Sequence, residues 1–585
     1  MSFNVNPHVN RLRGYLPFDS THQNLFQEYV DQRNAVSIPT VALDYLVGEL
    51  DADHHGLVVL TGDAGHGKTH LCAKVLEHFG LPAAEIAPTL LTRCDGSYDL
   101  VDLPSGRALR IVKDLSELAP LSRAVGVVSA ALEQREHVLV VCANEGRLRD
   151  AVSLDSRLWP VVEALELGLT EGRVHHEGVT VLNLNFQSVA GRPRSLVDAL
   201  LRDWAVDARR WRRACDGCEA KSACPIFENH RLLSAGAIGA ARREGLETLM
   251  RMAEQIGAVV TIREMLTLVA YALTGGLDCA SVHRRSGKDD WQHAFLFHEN
   301  IFGERLTTTQ RGSVRSLRQL RLLDPGGVSV RRVDEALLPD TSDDLGWFVP
   351  PQADDPAAPT TKRQARRRAD DERSVVRFLR RRDYFNQLTG EAPLAERAGL
   401  RFFEDFERVL DGLVTTTSDY RRIRDQLLEG LEAVQGLRRG GGSAHFFVVD
   451  PAFAGTGDAS LVARRIANAR VRLVSQSGWW RERAGASPEL PQAVDWTDRR
   501  ICLVFEDGEE AVVVQLDLLQ AEFVMRSAEG LNARAFFSAD VRRINAQIAS
   551  LVSADAADDE IHVIYEGGAR RLVIDVGDLI RSVAD

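Results

Sequence analysis

The apolar run Leu57-Val58-Val59-Leu60 leads, one residue on, into Gly62-Asp63-Ala64-Gly65-His66-Gly67-Lys68-Thr69. A strand followed by the spacing GxxxxGK[ST] leaves a chain few choices. The strand ends, glycines let the backbone curl, and its N–H groups converge on a phosphate. Lys68 then reaches the β/γ oxygens and the Thr69 hydroxyl ligates Mg²⁺. His70 to Phe79 continues as a helix, with Leu71, Val75, Leu76 and Phe79 at helical spacing. The pattern predicts an ATP or GTP site on residues 62–70. A chance match in a glycine-containing turn is the alternative.

The next segments alternate. Residues 109–114 read as a strand ending in Asp114, 116–133 as a helix, and 138–144 as an apolar strand ending in Asn144. A helix over 148–167 and a strand over 179–184 follow. Alternation predicts a parallel sheet with helices on both faces. Ligand chemistry in such sheets gathers at the strands' carboxyl ends. That would bring Lys68, Thr69, Asp114 and Asn144 around one site. Asp114 is expected to hold Mg²⁺ with Thr69, and Asn144 to position the attacking water or touch the γ-phosphate. The competing readings are a helix cap for Asp114 and a turn residue for Asn144. A second register takes 138–145 as the metal strand with Glu145 as its acid, and leaves 109–114 without a role.

This order resembles the AAA+ and related additional-strand P-loop ATPases: Walker A at 62–69, a Walker B strand ending at Asp114, a sensor-1 strand ending at Asn144. The chain departs from that pattern where Asp114 is followed by Leu115 rather than a second acid. The nearest substitutes are Glu117 and Glu145, and Glu145, beside Asn144, is the expected base. The resemblance also implies a helical lid at 256–276. Thr261 and Glu264 form a capping box opening its helix. Arg263 stands where a sensor-2 arginine would touch the γ-phosphate; an ordinary surface arginine is the alternative.

Cys215-x₂-Cys218-x₅-Cys224, followed by His230, could close a tetrahedral zinc site. Three unrelated reduced cysteines, or an iron–sulfur cluster short of its usual fourth cysteine, are the other readings.

The expected class is α/β. A parallel-sheet P-loop NTPase core (AAA+-like, 57–205) follows a helical lead-in (1–56). An inserted metal-binding element (206–235) and a helical lid with an arginine-rich region (236–345) come next. A linker (346–361), a basic helical region (362–440) and a C-terminal α+β domain (441–585) complete it. In the last, 501–505/511–516 and 561–565/572–576 read as hairpins, each leading through Asp-Leu into a helix-like segment. That suggests an internal duplication; the domain contains no HExxH, GxSxG or paired-acid nuclease pattern.

Over 585 residues the net charge is −12, so nucleic-acid contact would need a local patch. Arg315, Arg318 and Arg321 recur every three residues, and Arg366-Arg367-Arg368 and Arg380-Arg381-Arg382 fall in 362–382. A solvated, internally paired helix is the alternative. No signal peptide or bilayer-long apolar run is evident, which suggests a cytoplasmic protein with no membrane partner.

The layout resembles, more closely, the ATPase subunit of DNA-phosphorothioation-dependent restriction and related bacterial anti-phage defence systems. The residues concerned are 62–70, Asn144-Glu145-Gly146, the CxxC–x₅–CP element, Thr261-Ile262-Arg263 and Leu323-Asp324-Pro325, all within roughly the first 330. The resemblance implies an ATPase motor or switch using ATP and Mg²⁺, working with partner subunits on DNA, and admits a homo-oligomer. A non-hydrolysing ATP-binding scaffold that recruits an effector is the rival, favoured by the missing acid after Asp114. A metabolic kinase would not need the ~300 residues beyond core and lid.

Overall fold

In the computed structural model, Leu57–Thr61 is strand β1, with every residue buried. The structure describes residues 5–19, 38–52, 56–133, 136–288, 291–331, 334, 362–386, 393–413, 417–437, 444–449, 459–506, 511–530, 538–551, 560–565, 568–575 and 579–583. The expected linker at 346–361 lies outside them. Two units form. The first comprises Met1–Glu254, Ala258–Gly399 and Ala484–Thr497; the second comprises Gln255–Gly257, Leu400–Arg483 and Asp498–Asp585.

The first unit contains β1, β2 (Val101–Asp102), β3 (Ala108–Val112), β4 (His137–Ala143), β5 (His175–His176) and β6 (Val179–Asn183). They form one sheet in the order β2-β3-β4-β1-β6-β5. The four inner strands are parallel, with Leu57 opposite both Leu139 and Val179, and Leu109 opposite Val138. The fold is therefore α/β, as expected, and β4 lies between β1 and β3. Burial on both faces explains the apolar runs 57–60 of β1 and 138–143 of β4; β6 is buried throughout as well, Thr180 included. Val59, Val141 and Val181 share a core with Val128, Leu148 and Val161 from covering helices. The two edge strands, two residues each, pair antiparallel.

Two expected helices are broken. The stretch 116–133 is a 3₁₀ turn, Leu115–Glu117, then a helix Leu121–Glu133; Pro120 cannot continue the ladder between them. The stretch 148–167 is Glu145–Val152 and Trp159–Thr170. Asp155 divides them by accepting from the Arg157 N–H at 3.0 Å, which starts a new turn. The lead-in is helical where described, at Pro7–Gly14 and Val41–Ala52.

Helix Ile262–Thr274 starts at the expected cap, Thr261 accepting from the Glu264 N–H at 3.1 Å, but the capping box is only half made: Glu264 Oε1 accepts from the Arg315 N–H at 2.7 Å. It ends at Gly275, φ +56°, a left-handed position suited to glycine. The stretch Ile262–Arg285 is long and apolar enough to span a bilayer, contrary to the expectation that none is. Gly275 and Gly276, both at positive φ, interrupt it, and 61% of its apolar window is buried within the protein.

The basic helix, Lys362–Asn386, belongs to the first unit, so the division falls at Gly399/Leu400 rather than near 440. Its last turns carry buried Phe378, Leu379, Tyr384 and Phe385. Arg381 is 2% exposed at its side chain and binds Asp324 at 2.5 Å, Glu299 at 2.7 Å and Glu304 at 3.0 Å. Arg380 pairs with Asp334 at 2.8 Å, and Arg377 with Glu304. Arg380 and Arg381 are thus structural ion-pair residues, not a DNA patch. The side chains of Arg366, Arg367 and Arg368 lie outside the described residues.

In the second unit, β7 (His445–Val449), β8 (Ala459–Ala467), β9 (Val471–Ser475), β10 (Ile501–Phe505), β11 (Val512–Leu516), β12 (Glu560–Tyr565), β13 (Gly568–Asp575) and β14 (Leu579–Val583) form two sheets, ordered β11-β10-β9 and β14-β13-β12-β8-β7. Both expected hairpins are present, with Leu503 opposite Val514 and Ile561 opposite Leu572. After β11, Asp517 caps helix Leu518–Ala528 in a capping box. After β13, Leu579 opens β14 instead of a helix, so the duplication does not extend past the hairpins. Leu579-Ile580-Arg581-Ser582-Val583 satisfies its backbone by pairing with β13.

Candidate nucleotide-binding site

The loop after β1 needs its glycines: Gly62, Gly65 and Gly67 have φ of +137°, +104° and +85°. Lys68, first residue of helix Lys68–His78, folds back over it. Its Nζ donates to the carbonyls of Gly62 at 2.5 Å and Asp63 at 3.1 Å, and to Asn144 Oδ1 at 3.4 Å. The Asp63 N–H donates to Asn185 Oδ1 at 2.8 Å, anchoring the loop to the chain beyond β6.

A cavity of about 290 Å³ opens here. Ala64 to His70, Asp114, Asn144 and Arg263 line it, as the strand order requires. Gly62 and Asp63 take part through the carbonyls that meet Lys68. Asp114 also caps the turn at Leu115–Glu117, accepting from the Ser116 N–H at 2.8 Å, and the cap does not take it out of the cavity lining. Asn144 occupies the cap position of helix Glu145–Val152 without capping it; its carbonyl oxygen faces Lys68 instead. Arg263 donates its backbone N–H to the Gly65 carbonyl at 3.0 Å.

Glu145 does not line the cavity. Its carboxylate pairs with Arg149 at 3.0 Å, one turn on. Glu117 does line it, 3.6 Å from Lys113 Nζ. The acid the sequence favoured as base is thus drawn along its own helix, and the other substitute faces the site.

The sequence did not announce the apolar end of the cavity. Tyr15 and Ile38 from the lead-in meet Leu196, Ile262, Met265 and Leu266 there. Burial holds the Lys68 ammonium below the usual lysine range, opposed in part by Asp114 and Asp63. Burial lowers His70 to about 4, so it is neutral at pH 7.

Cys215, Cys218 and Cys224 converge around a second cavity, of about 30 Å³. His230 does not join them: its Nδ1 meets the Ala205 carbonyl at 2.5 Å and its ring stacks on Trp211 at 4.9 Å. Its helix is anchored by Cys224 as cap, which turns His230 into the core. Cys279 and His283 line the cavity instead. Burial raises the Cys215 and Cys279 thiols and pushes Cys224 up to about 12.

Arg315, Arg318 and Arg321 are exposed. Arg315 precedes the short helix Leu317–Leu322, its Nη1 3.5 Å from Oδ2 of Asp63, whose carbonyl accepts from Lys68. Comparison of the chain with protein-family models, with curated proteins and with solved structures finds no match.

Proposed function

We propose that this chain is a P-loop ATPase of the additional-strand kind. One observation carries the reading: Lys68, Asp114 and Asn144 come from the ends of three adjacent parallel strands, β1, β3 and β4, and line one cavity. A strand between the P-loop strand and the acid strand supports the register with Asp114 as metal acid over that with Glu145. With ATP bound, Lys68 would exchange the Gly62 and Asp63 carbonyls for β/γ oxygens. Thr69 and Asp114 would hold Mg²⁺, and Asn144 would orient water. Glu117, which lines the cavity, would take its proton. Arg263, at the start of helix Ile262–Thr274, would meet the γ-phosphate, and the apolar end suits a base.

The role in a DNA-targeting defence complex rests on the resemblance of the first 330 residues, with Arg315, Arg318 and Arg321 as the exposed cationic patch. The scaffold reading remains the rival, because neither acid directly follows Asp114. Steady-state phosphate release with and without DNA separates the two. Turnover in wild type that falls to background in Glu117→Gln supports the ATPase; wild-type turnover at background under both conditions supports the scaffold.

A further inference from the structure

Two distant stretches of chain bring four cysteines together beside helix Pro7–Gly14. Cys215 ends the helical turn Arg212–Cys215, and the Cys218 N–H donates to its carbonyl at 3.2 Å. Cys224 caps helix Pro225–Ser234, and Cys279 opens helix Cys279–Arg285. The four surround the small cavity, whose remaining wall is mostly apolar, with Val9, Trp211 and Ile226 in it.

Each of the four sulfurs has a nitrogen beside it. Asn6 Nδ2 donates to Cys215 Sγ at 3.3 Å, and the Asn6 backbone N–H is turned to Cys279. The Phe227 N–H donates to Cys224 Sγ at 3.4 Å, and His283 Nε2 lies 3.4 Å from Cys218 Sγ. Neutral thiols are weak acceptors. Donors on all four sulfurs are what an outer shell provides for thiolate ligands.

Spacing separates an ion from a cluster. Four thiolates on one zinc stand about 3.8 Å apart, from Zn–S bonds of about 2.3 Å at tetrahedral angles. Among the described residues, these sulfurs supply no set of three within 4.8 Å of one another. The four sulfurs are thus not gathered on one point as a single ion holds its ligands, and a body with metal at several corners accepts a wider spacing. Iron–sulfur clusters are such bodies, take four cysteines, and occur with three ligands close in sequence and one remote.

We propose that Cys215, Cys218, Cys224 and Cys279 hold an iron–sulfur cluster, with Asn6, Phe227 and His283 donating to its ligand sulfurs. The cluster would fasten helix Cys279–Arg285 just beyond the end of the helix that carries Arg263. It stands independently of the nucleotide reading.

The test is metal and sulfide analysis of the full chain, made and purified without oxygen, with visible absorbance before and after dithionite. Iron and acid-labile sulfide are expected in equal amounts, about two or about four of each per chain as the two cluster types require. Cys279→Ser should lose at least nine-tenths of the iron, and His230→Gln should keep it. One zinc without iron, or no metal, in wild type would overturn the assignment. So would full iron loading in Cys279→Ser. If Cys279→Ser does not fold, wild-type composition and an altered reduction potential in Asn6→Ala decide the matter; an unchanged potential there would count against these ligands.

Discussion

The Arg263 N–H donates to the Gly65 carbonyl at 3.0 Å, fastening the first turn of an apolar helix to the glycine loop after β1. The contact leaves little room for a side chain. A Cβ on Gly65 would stand 3.0 Å from both Arg263 Cβ and Thr261 Oγ1, at a φ of +104°. Gly65→Ala is expected to cost ~1–3 kcal/mol in urea unfolding, the usual range for a strained backbone position. It should also weaken ATP binding by moving Arg263. Wild-type stability and affinity together would show that the contact is not held in solution.

The two acids near Asn144 and Asp114 should separate kinetically. Glu117→Gln is expected to keep ATP binding and lower kcat ~100-fold or more, the scale for losing a positioned base. Glu145→Gln, losing only a partner for Arg149, should stay within a few-fold of wild type. The reverse pattern, read in the same phosphate-release assay, would restore Glu145 as base.

The arginines divide into two kinds. Replacing Arg315, Arg318 and Arg321 with alanine should weaken DNA binding and flatten its log–log salt slope by up to ~3, near 0.9 per lost phosphate contact. Arg381→Ala should act on folding instead. It strands Asp324 and Glu299 without their buried partner, a loss of about 3–5 kcal/mol in chemical denaturation. A triple mutant with the wild-type salt slope would remove the patch from the account.

Acid should destabilise the fold through His8. Burial is the main cause that lowers its pKa to about 4, against the help of the Trp204 carbonyl at 3.0 Å. The unfolded chain, with a histidine near 6.5, therefore binds more protons between those values. Stability is full above about pH 6.5 and declines as pH falls toward 4. From pH 7 to pH 5 the loss from this group is about 2 kcal/mol, at ~1.4 kcal/mol per pH unit. Thermal melts of wild type and His8→Gln should converge toward pH 5; parallel pH profiles would contradict it.

Residues whose chemistry is local were legible in the sequence. Gly62, Gly65 and Gly67 announce the loop, and the apolar runs of β1 and β4 announce a sheet buried on both faces. Thr261 with Glu264 announces a helix start. Long-range convergence was not. Cys279 carries no spacing signal toward Cys224, because its approach depends on how helix Ile262–Thr274 packs. Two-residue edge strands such as Val101–Asp102 have no periodicity to read. Arg381 reads as exposed in a run of arginines until Asp324, Glu299 and Glu304 are brought around it. Leu579 to Val583 pairs as a strand because β13 offers an edge, which the Asp-Leu signal does not reveal.

The proposed nucleotide site rests on Lys68. Calorimetric titration of the full chain with MgATP, for wild type and Lys68→Ala, tests it most directly, with circular dichroism checking that both are folded. Saturable binding in wild type and at least ~100-fold weaker binding in Lys68→Ala, roughly the 2–3 kcal/mol of a charge-assisted contact, is the predicted result. Equal affinity in the two proteins, or no binding to wild type, would contradict it.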